Sequence, residues 1–209
     1  MEGQLKTGTT TVGIVCKDAV ILAADKRATA GNFIADKKVD KVIKINDFMA
    51  LTTAGSVSDL QLLVKYLKAE LKLKEIRTGR MNTVKEAANL LSGMVYNNIR
   101  QYSMIPGVTH FLFSGHDRDN HLYDLYPDGS LTLIDDFVSS GSGSVMAYGV
   151  LETMWKKDMT DQEGITLALK CINAAIQRDS ASGNGIDIFI INKNGAKKIE
   201  TRIIDTRIE

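Results

Sequence analysis

Four stretches of the chain carry apolar residues at helical spacing, and they come as two adjacent pairs set between groups of strand-like runs. That order restricts the possible folds more than any other feature. The first pair runs through Leu60, Leu63, Tyr66, Leu67 and Leu71, then Ala87, Ala88, Leu91, Met94, Val95 and Ile99. The second runs through Met146, Tyr148, Val150, Leu151, Met154 and Trp155, then Ile165, Leu167, Ala168, Cys171, Ile172, Ala175 and Ile176. Three of the four open on a hydroxyl residue with an acid three positions on: Ser56 with Asp59, Thr83 with Glu86, and Thr160 with Glu163. This is the pattern of a capping box, which satisfies backbone donors that a helix start leaves unpaired. β-branched and apolar runs at 10–16, 19–25, 41–45 and 48–54 precede the first pair, and 108–114, 121–126 and 131–134 precede the second. Runs at 186–192 and 197–204 follow it. The segment Gly141-Ser142-Gly143-Ser144 reads as a loop entering the third helix.

A parallel doubly wound sheet requires strict alternation of strand and helix. Segregation of strands from helix pairs predicts an α+β fold instead, a four-layer αββα sandwich of two antiparallel sheets flanked by helix pairs. With 209 residues, 44% of them hydrophobic, the chain fits one domain with a substantial core. A net charge of +1 with no basic block excludes a strong pull toward nucleic acid or an anionic membrane surface. No segment approaches the ~18 apolar residues of a membrane span. The two cysteines, Cys16 and Cys171, lie in apolar runs where a free thiol packs as a small hydrophobe, as expected of a reducing cytoplasm.

The segment with the most chemical content is Gly8-Thr9-Thr10-Thr11-Val12. A threonine freed at an N-terminus carries its own base, because its α-amino group has a reference pKa of about 7.7–8.0 and sits beside Oγ. Cutting after Gly8 would create such a residue at Thr9. The eight residues before it lack a signal-peptide apolar core, so the expectation is a removable leader, 1–8, ahead of one catalytic domain, 9–209. On these residues alone, ordinary edge-strand threonines fit equally well. Other chemistries are poorly supported. His110, His116 and His121 cluster around one strand-loop-strand unit, but their spacing matches no helical metal pair and no cysteine or paired acid joins them, so no metal is expected. No G-x-S-x-G elbow exists for a serine triad. Gly141-x-Gly143 has Met146 where a dinucleotide loop needs its third glycine.

Taken together, Gly8-Thr9-Thr10 before an apolar strand, Ala24-Asp25-Lys26-Arg27-Ala28-Thr29, Lys41, Thr53-Ala54-Gly55, Gly141-Ser142-Gly143-Ser144 with Ala147-Tyr148-Gly149, and Arg178-Asp179-x-x-Ser182-Gly183 resemble the β subunits of the archaeal-type proteasome. These are N-terminal-nucleophile threonine peptidases. The resemblance spans nearly the whole chain and implies an endopeptidase acting on unfolded proteins, without a cofactor. It implies assembly with α-type and other β subunits in stacked seven-membered rings, served by an ATPase regulator in the cytoplasm. By the same resemblance, Thr9 is the nucleophile, Lys41 the cation beside it and Asp25 the anchor of that cation. Gly55 supplies an oxyanion N–H, and Ser142, Asp179 and Ser182 surround the Thr9 nitrogen. Ala28, Thr29, Val39, Ile43, Thr53 and Val57 line the substrate pocket, whose uncharged character implies chymotrypsin-like preference. Without the resemblance, Asp25 and Lys41 read as a surface ion pair and the serines as loop polarity. A non-catalytic ring subunit, the bacterial two-ring threonine peptidase and a dinucleotide-binding protein are the alternatives. The first would lack part of this residue set, and the last would bind nucleotide.

Overall fold

The computed structural model describes residues 8–104 and 106–204. The first group of strands is β1 (Thr10–Val15), β2 (Val20–Asp25), β3 (Ala28–Ala30), β4 (Phe33–Asp36), β5 (Val42–Lys44) and β6 (Met49–Gly55). Helices α1 (Val57–Thr78) and α2 (Val84–Ile99) follow. Then come β7 (Thr109–His116), β8 (Asn120–Leu125), β9 (Leu131–Ile134) and β10 (Phe137–Gly141). Helices α3 (Ser144–Met154) and α4 (Asp161–Arg178) lead to β11 (Gly185–Asn192) and β12 (Gly195–Ile203). One sheet has the order β10-β1-β2-β11-β12 and the other β5-β6-β7-β8-β9, with every pairing antiparallel.

Side-chain alternation along each strand sorts the apolar residues into three cores. Leu22 and Ala24 of β2 face inward onto Ala50, Leu112, Leu122, Phe189 and Ile191, between the sheets. Ile21 and Ala23, one position away, face outward onto Leu151, Leu167, Ala168, Cys171 and Ile172 of α3 and α4. Leu51, Phe111, Phe113 and Leu125 present the far face of the second sheet to Leu60, Leu63, Leu67, Leu91 and Val95 of α1 and α2. Both faces of both sheets are therefore covered, which gives the αββα sandwich. Because β2 is buried on both sides, it is apolar without a break from Val20 to Ala24. Each fully buried Leu or Phe in these layers contributes about 1.5–3 kcal/mol.

The structure departs from the sequence expectations in four places. Strand β10 occupies residues expected to be connecting chain. It has only Val138 as a buried apolar residue, and hydroxyls tie it to β1 instead: Ser139 Oγ donates to the Thr11 carbonyl at 2.8 Å, and Ser140 Oγ lies 2.8 Å from Thr11 Oγ1. The β3–β4 hairpin is likewise additional. Ser56 does not cap α1 through its side chain, because its hydroxyl bonds the Asp59 carboxylate, whereas the boxes at Thr83 and Thr160 form with both bonds. Tyr66 is 55% exposed, and Val64 takes the inward position instead.

Candidate active site

Thr9 precedes the first residue of β1 and lies where three chain segments converge. Pairing of Thr10 with Gly141 brings the end of β10 alongside, and pairing of Thr11 with Ala24 brings the end of β2. The 179–184 loop arrives from α4. Of the three successive threonines, Thr10 spends its hydroxyl on Ser182 Oγ at 2.6 Å and Thr11 on Ser140 Oγ. Thr9 Oγ1 instead donates to the carbonyl oxygen of Gly8 at 2.7 Å. The hydroxyl thus lies against the peptide group that would have to be cut.

Asp25, the last residue of β2, has no solvent exposure and accepts four hydrogen bonds. Its Oδ1 receives the Thr10 N–H at 2.9 Å and Lys41 Nζ at 2.7 Å, and its Oδ2 receives the Arg27 and Gly183 N–H groups, each at 2.9 Å. Such saturation holds a buried carboxylate in place. Lys41 stands one residue before β5 and is also buried, with its ammonium 3.5 Å from the Gly8 carbonyl oxygen. Burial lowers the Lys41 pKa below the ordinary lysine value, against the pull of the Asp25 carboxylate. On the other side of the peptide, the Thr9 N–H donates to Ser142 Oγ at 3.2 Å. Ser142 and Ser182 both donate to Asp179 Oδ2 at 2.6 Å. A continuous path of hydroxyls and a carboxylate therefore ends on the Thr9 nitrogen. Thr9, Asp25, Lys41, Ser142, Asp179 and Ser182, expected together, do meet.

A cavity of about 130 Å³ opens beside Gly8 and Lys41 and is lined by all six expected residues, Ala28, Thr29, Val39, Ile43, Thr53 and Val57. Thr29 also accepts the Gly8 N–H through its Oγ1 at 3.0 Å, so it grips the chain as well as forming wall. The lining includes Asp40, Leu60 and Gln61, which the sequence reasoning missed. Leu60 and Gln61 lie three and four residues after Val57 on α1, the spacing that puts side chains on one helix face, and this signal could have found them. Asp40 corrects the expectation of an uncharged lining. Its carboxylate is already paired with Lys26 at 2.8 Å and Lys198 at 3.4 Å. The hydrogen bond from Lys26 is the main cause that holds its pKa down at about 2.

Gly55 ends β6 between Thr53 and Val57 in the chain, with φ +122°. A Cβ there would stand 2.2 Å from the Val108 carbonyl oxygen. That carbonyl and the left-handed backbone both demand glycine at this position.

The three histidines bond neighbours outside the site: His110 with Asp124 at 2.6 Å, His116 with Asn120 at 2.8 Å and His121 with Asp117 at 3.3 Å. No group of three metal-ligating side chains occurs among the described residues.

Residues 5–191 match the family model described as "Proteasome subunit". The chain is 46% identical over 200 residues to the proteasome subunit beta of Methanocaldococcus fervens, covering 95% of this chain and 88% of that protein. It is 45% identical, with the same coverage, to that of Methanocaldococcus jannaschii. To that of Methanococcus aeolicus it is 46% identical over 192 residues, 91% of this chain and 87% of the relative.

Proposed function

The chain belongs to the proteasome subunit family, and we propose that it is a catalytic β subunit of a core particle, a threonine endopeptidase that frees its own nucleophile by cutting between Gly8 and Thr9. The observation that carries this reading is the position of Thr9 Oγ1, 2.7 Å from the Gly8 carbonyl oxygen, with the Lys41 ammonium 3.5 Å from the same atom. A hydroxyl and a cation converge on one carbonyl, and Asp25 fixes the cation.

In self-cleavage, Thr9 Oγ bonds to the Gly8 carbonyl carbon and the C–N bond to Thr9 breaks. The hydroxyl proton ends on the departing nitrogen, next to Ser142 and the Asp179 carboxylate. Water then hydrolyses the ester, releasing residues 1–8 with a new carboxylate and restoring the Thr9 hydroxyl. Lys41 offsets the negative charge that builds up during the attack. In the mature subunit, the freed Thr9 amine takes the hydroxyl proton while Oγ attacks a substrate carbonyl, and Gly55 N–H faces the oxyanion.

The cavity beside Gly8 and Lys41 supports a substrate preference. Its volume is close to the ~150 Å³ that holds a benzene molecule, and it is walled by Ala28, Val39, Ile43, Val57 and Leu60. Each methylene buried there is worth roughly 0.8 kcal/mol. With Asp40 neutralised by lysines, large apolar side chains before the scissile bond are favoured, which is chymotrypsin-like cleavage. The assembly proposed with this activity is one of β rings stacked with α-type rings, fed with unfolded protein by an ATPase regulator in the cytoplasm. The test is the intact mass of the assembled particle, in which the subunit loses residues 1–8 while Thr9→Ala keeps them. A wild-type subunit that retains them and hydrolyses no peptide is a structural ring member instead.

A further inference from the structure

Position 8 has no room for a side chain. The obstacle stands across the site. A Cβ on Gly8 would stand 1.8 Å from Ala181 Cβ, 3.0 Å from Ala181 Cα and 3.1 Å from Ser142 Oγ. Neither partner can give way. The N–H of Gly8 is bonded to Thr29 Oγ1 at 3.0 Å, and its carbonyl oxygen accepts from Thr9 Oγ1 at 2.7 Å. On the opposite side, the Ala181 N–H donates to Asp179 Oδ1 at 3.2 Å, and Arg27 Nη1 holds the adjacent Ser180 carbonyl at 2.7 Å. The Gly183 N–H closes the loop onto Asp25 at 2.9 Å.

We infer that Ala181 is a specificity-determining residue for self-cleavage, its methyl group being the wall that admits only glycine before Thr9. The 179–184 loop then has two jobs. Asp179 and Ser182 serve the Thr9 nitrogen, and Ala181 checks the residue that leaves. This inference rests on the proposed self-cleavage and assigns the gate within it.

The experiment compares wild type, Gly8→Ala, Ala181→Gly and the double variant in assembled particles, following the mass of the subunit with time. Displacing a reacting group by about 1 Å costs on the order of a hundred-fold. Gly8→Ala therefore cuts at least about a hundred-fold more slowly, Ala181→Gly cuts like wild type, and the double variant regains most of the lost rate. Once cleaved, the double variant hydrolyses peptides like Ala181→Gly, because residue 8 has gone. Cleavage of Gly8→Ala within a few-fold of wild type overturns the inference. So does a double variant that stays uncut while Ala181→Gly is processed, and so does failure of Ala181→Gly itself. Should the double variant not assemble, Ala181→Val with Gly8 intact decides. Its added methyl groups press on Gly8 and slow cleavage, and unchanged cleavage refutes the wall. If wild type itself is not cut, the catalytic reading fails, whereas cleavage of wild type without rescue removes only the role of Ala181.

Discussion

Replacing Lys41 with Met tests the central charge of the site at nearly constant volume. The ammonium is buried, 2.7 Å from Asp25 and 3.5 Å from the carbonyl oxygen of Gly8. Its loss removes the only cation that the described hydrogen bonds bring to that carbonyl. Removing one preorganised charge-stabilising donor costs about 2.7–4 kcal/mol in the transition state, so self-cleavage and peptide hydrolysis fall by about 10²–10³-fold. Stability falls too, because an unpaired Asp25 remains buried. Breaking such a pair costs about 3–5 kcal/mol, and the lower end applies since three backbone N–H groups still bond the carboxylate. Intact mass, fluorogenic peptide cleavage and urea midpoints measure the three effects. Lys41→Arg also fails, because a planar guanidinium cannot occupy the ammonium's place. The pH dependence discriminates further. Burial lowers the Lys41 pKa, so the cation is lost at lower pH than from a surface lysine, and self-cleavage declines as pH rises through that lowered value. A rate that climbs there makes neutral Lys41 the base, and cleavage by Lys41→Met within a few-fold of wild type refutes the reasoning outright.

Asp40 has a pKa lowered from 3.8 to about 2, so its ionised form adds stability that is complete above 3.8 and lost as pH falls toward 2. Asp40→Asn flattens acid unfolding over that interval and costs under about 1 kcal/mol at neutral pH, since the carboxylate is largely exposed, as urea titrations across pH will show. Thr83→Ala removes the Thr83 Oγ1 acceptor of the Glu86 N–H in the α2 capping box and lowers stability by about 1 kcal/mol in the urea midpoint, without changing peptide preference. Val57→Lys or Thr53→Lys reduces cleavage after leucine or tyrosine, and an unchanged profile across a fluorogenic peptide panel would place the specificity pocket elsewhere.

The layers were legible in the sequence because they rest on local signals. The capping pairs at Thr83 and Thr160 and the stripes of α2 and α4 lie within a few residues of one another. Strand β10 was not legible, since Ser139, Ser140 and Gly141 carry no apolar pattern, and the two serines are buried where the strand pairs with β1 and their hydroxyls meet Thr11. The same holds for the site. Asp25 and Lys41 are an unremarkable acid and base in the chain, and they gained roles through resemblance to a family. Their bond forms only because β2 ends where the segment before β5 crosses it. Ala181 gave no signal at all, because its effect depends on a contact with Gly8 made across the whole length of the domain.

The geometry also explains why cavity and nucleophile can vary separately, and where they cannot. Thr9, Asp25, Ser142, Asp179 and Ser182 hang from β1, β2, β10 and the α4–β11 loop, all belonging to the sheet beneath α3 and α4. Ile43, Thr53, Val57, Leu60 and Gln61 belong to β5, β6 and α1, on the opposite sheet and its helix. Lys41 joins the halves. Its ammonium reaches Asp25, while its carbonyl oxygen accepts the Thr53 N–H at 2.9 Å and Thr53 Oγ1 at 3.3 Å. Changing Thr53 to lysine therefore removes a bond that holds the Lys41 backbone and brings a second cation near the first, so self-cleavage slows along with peptide cleavage. Val57 has no such link, and its side chain is already half exposed. Val57→Lys should alter the peptide profile while Gly8–Thr9 cleavage keeps its rate. Equal slowing of self-cleavage by both variants would mean that the cavity wall and the nucleophile are not independent units.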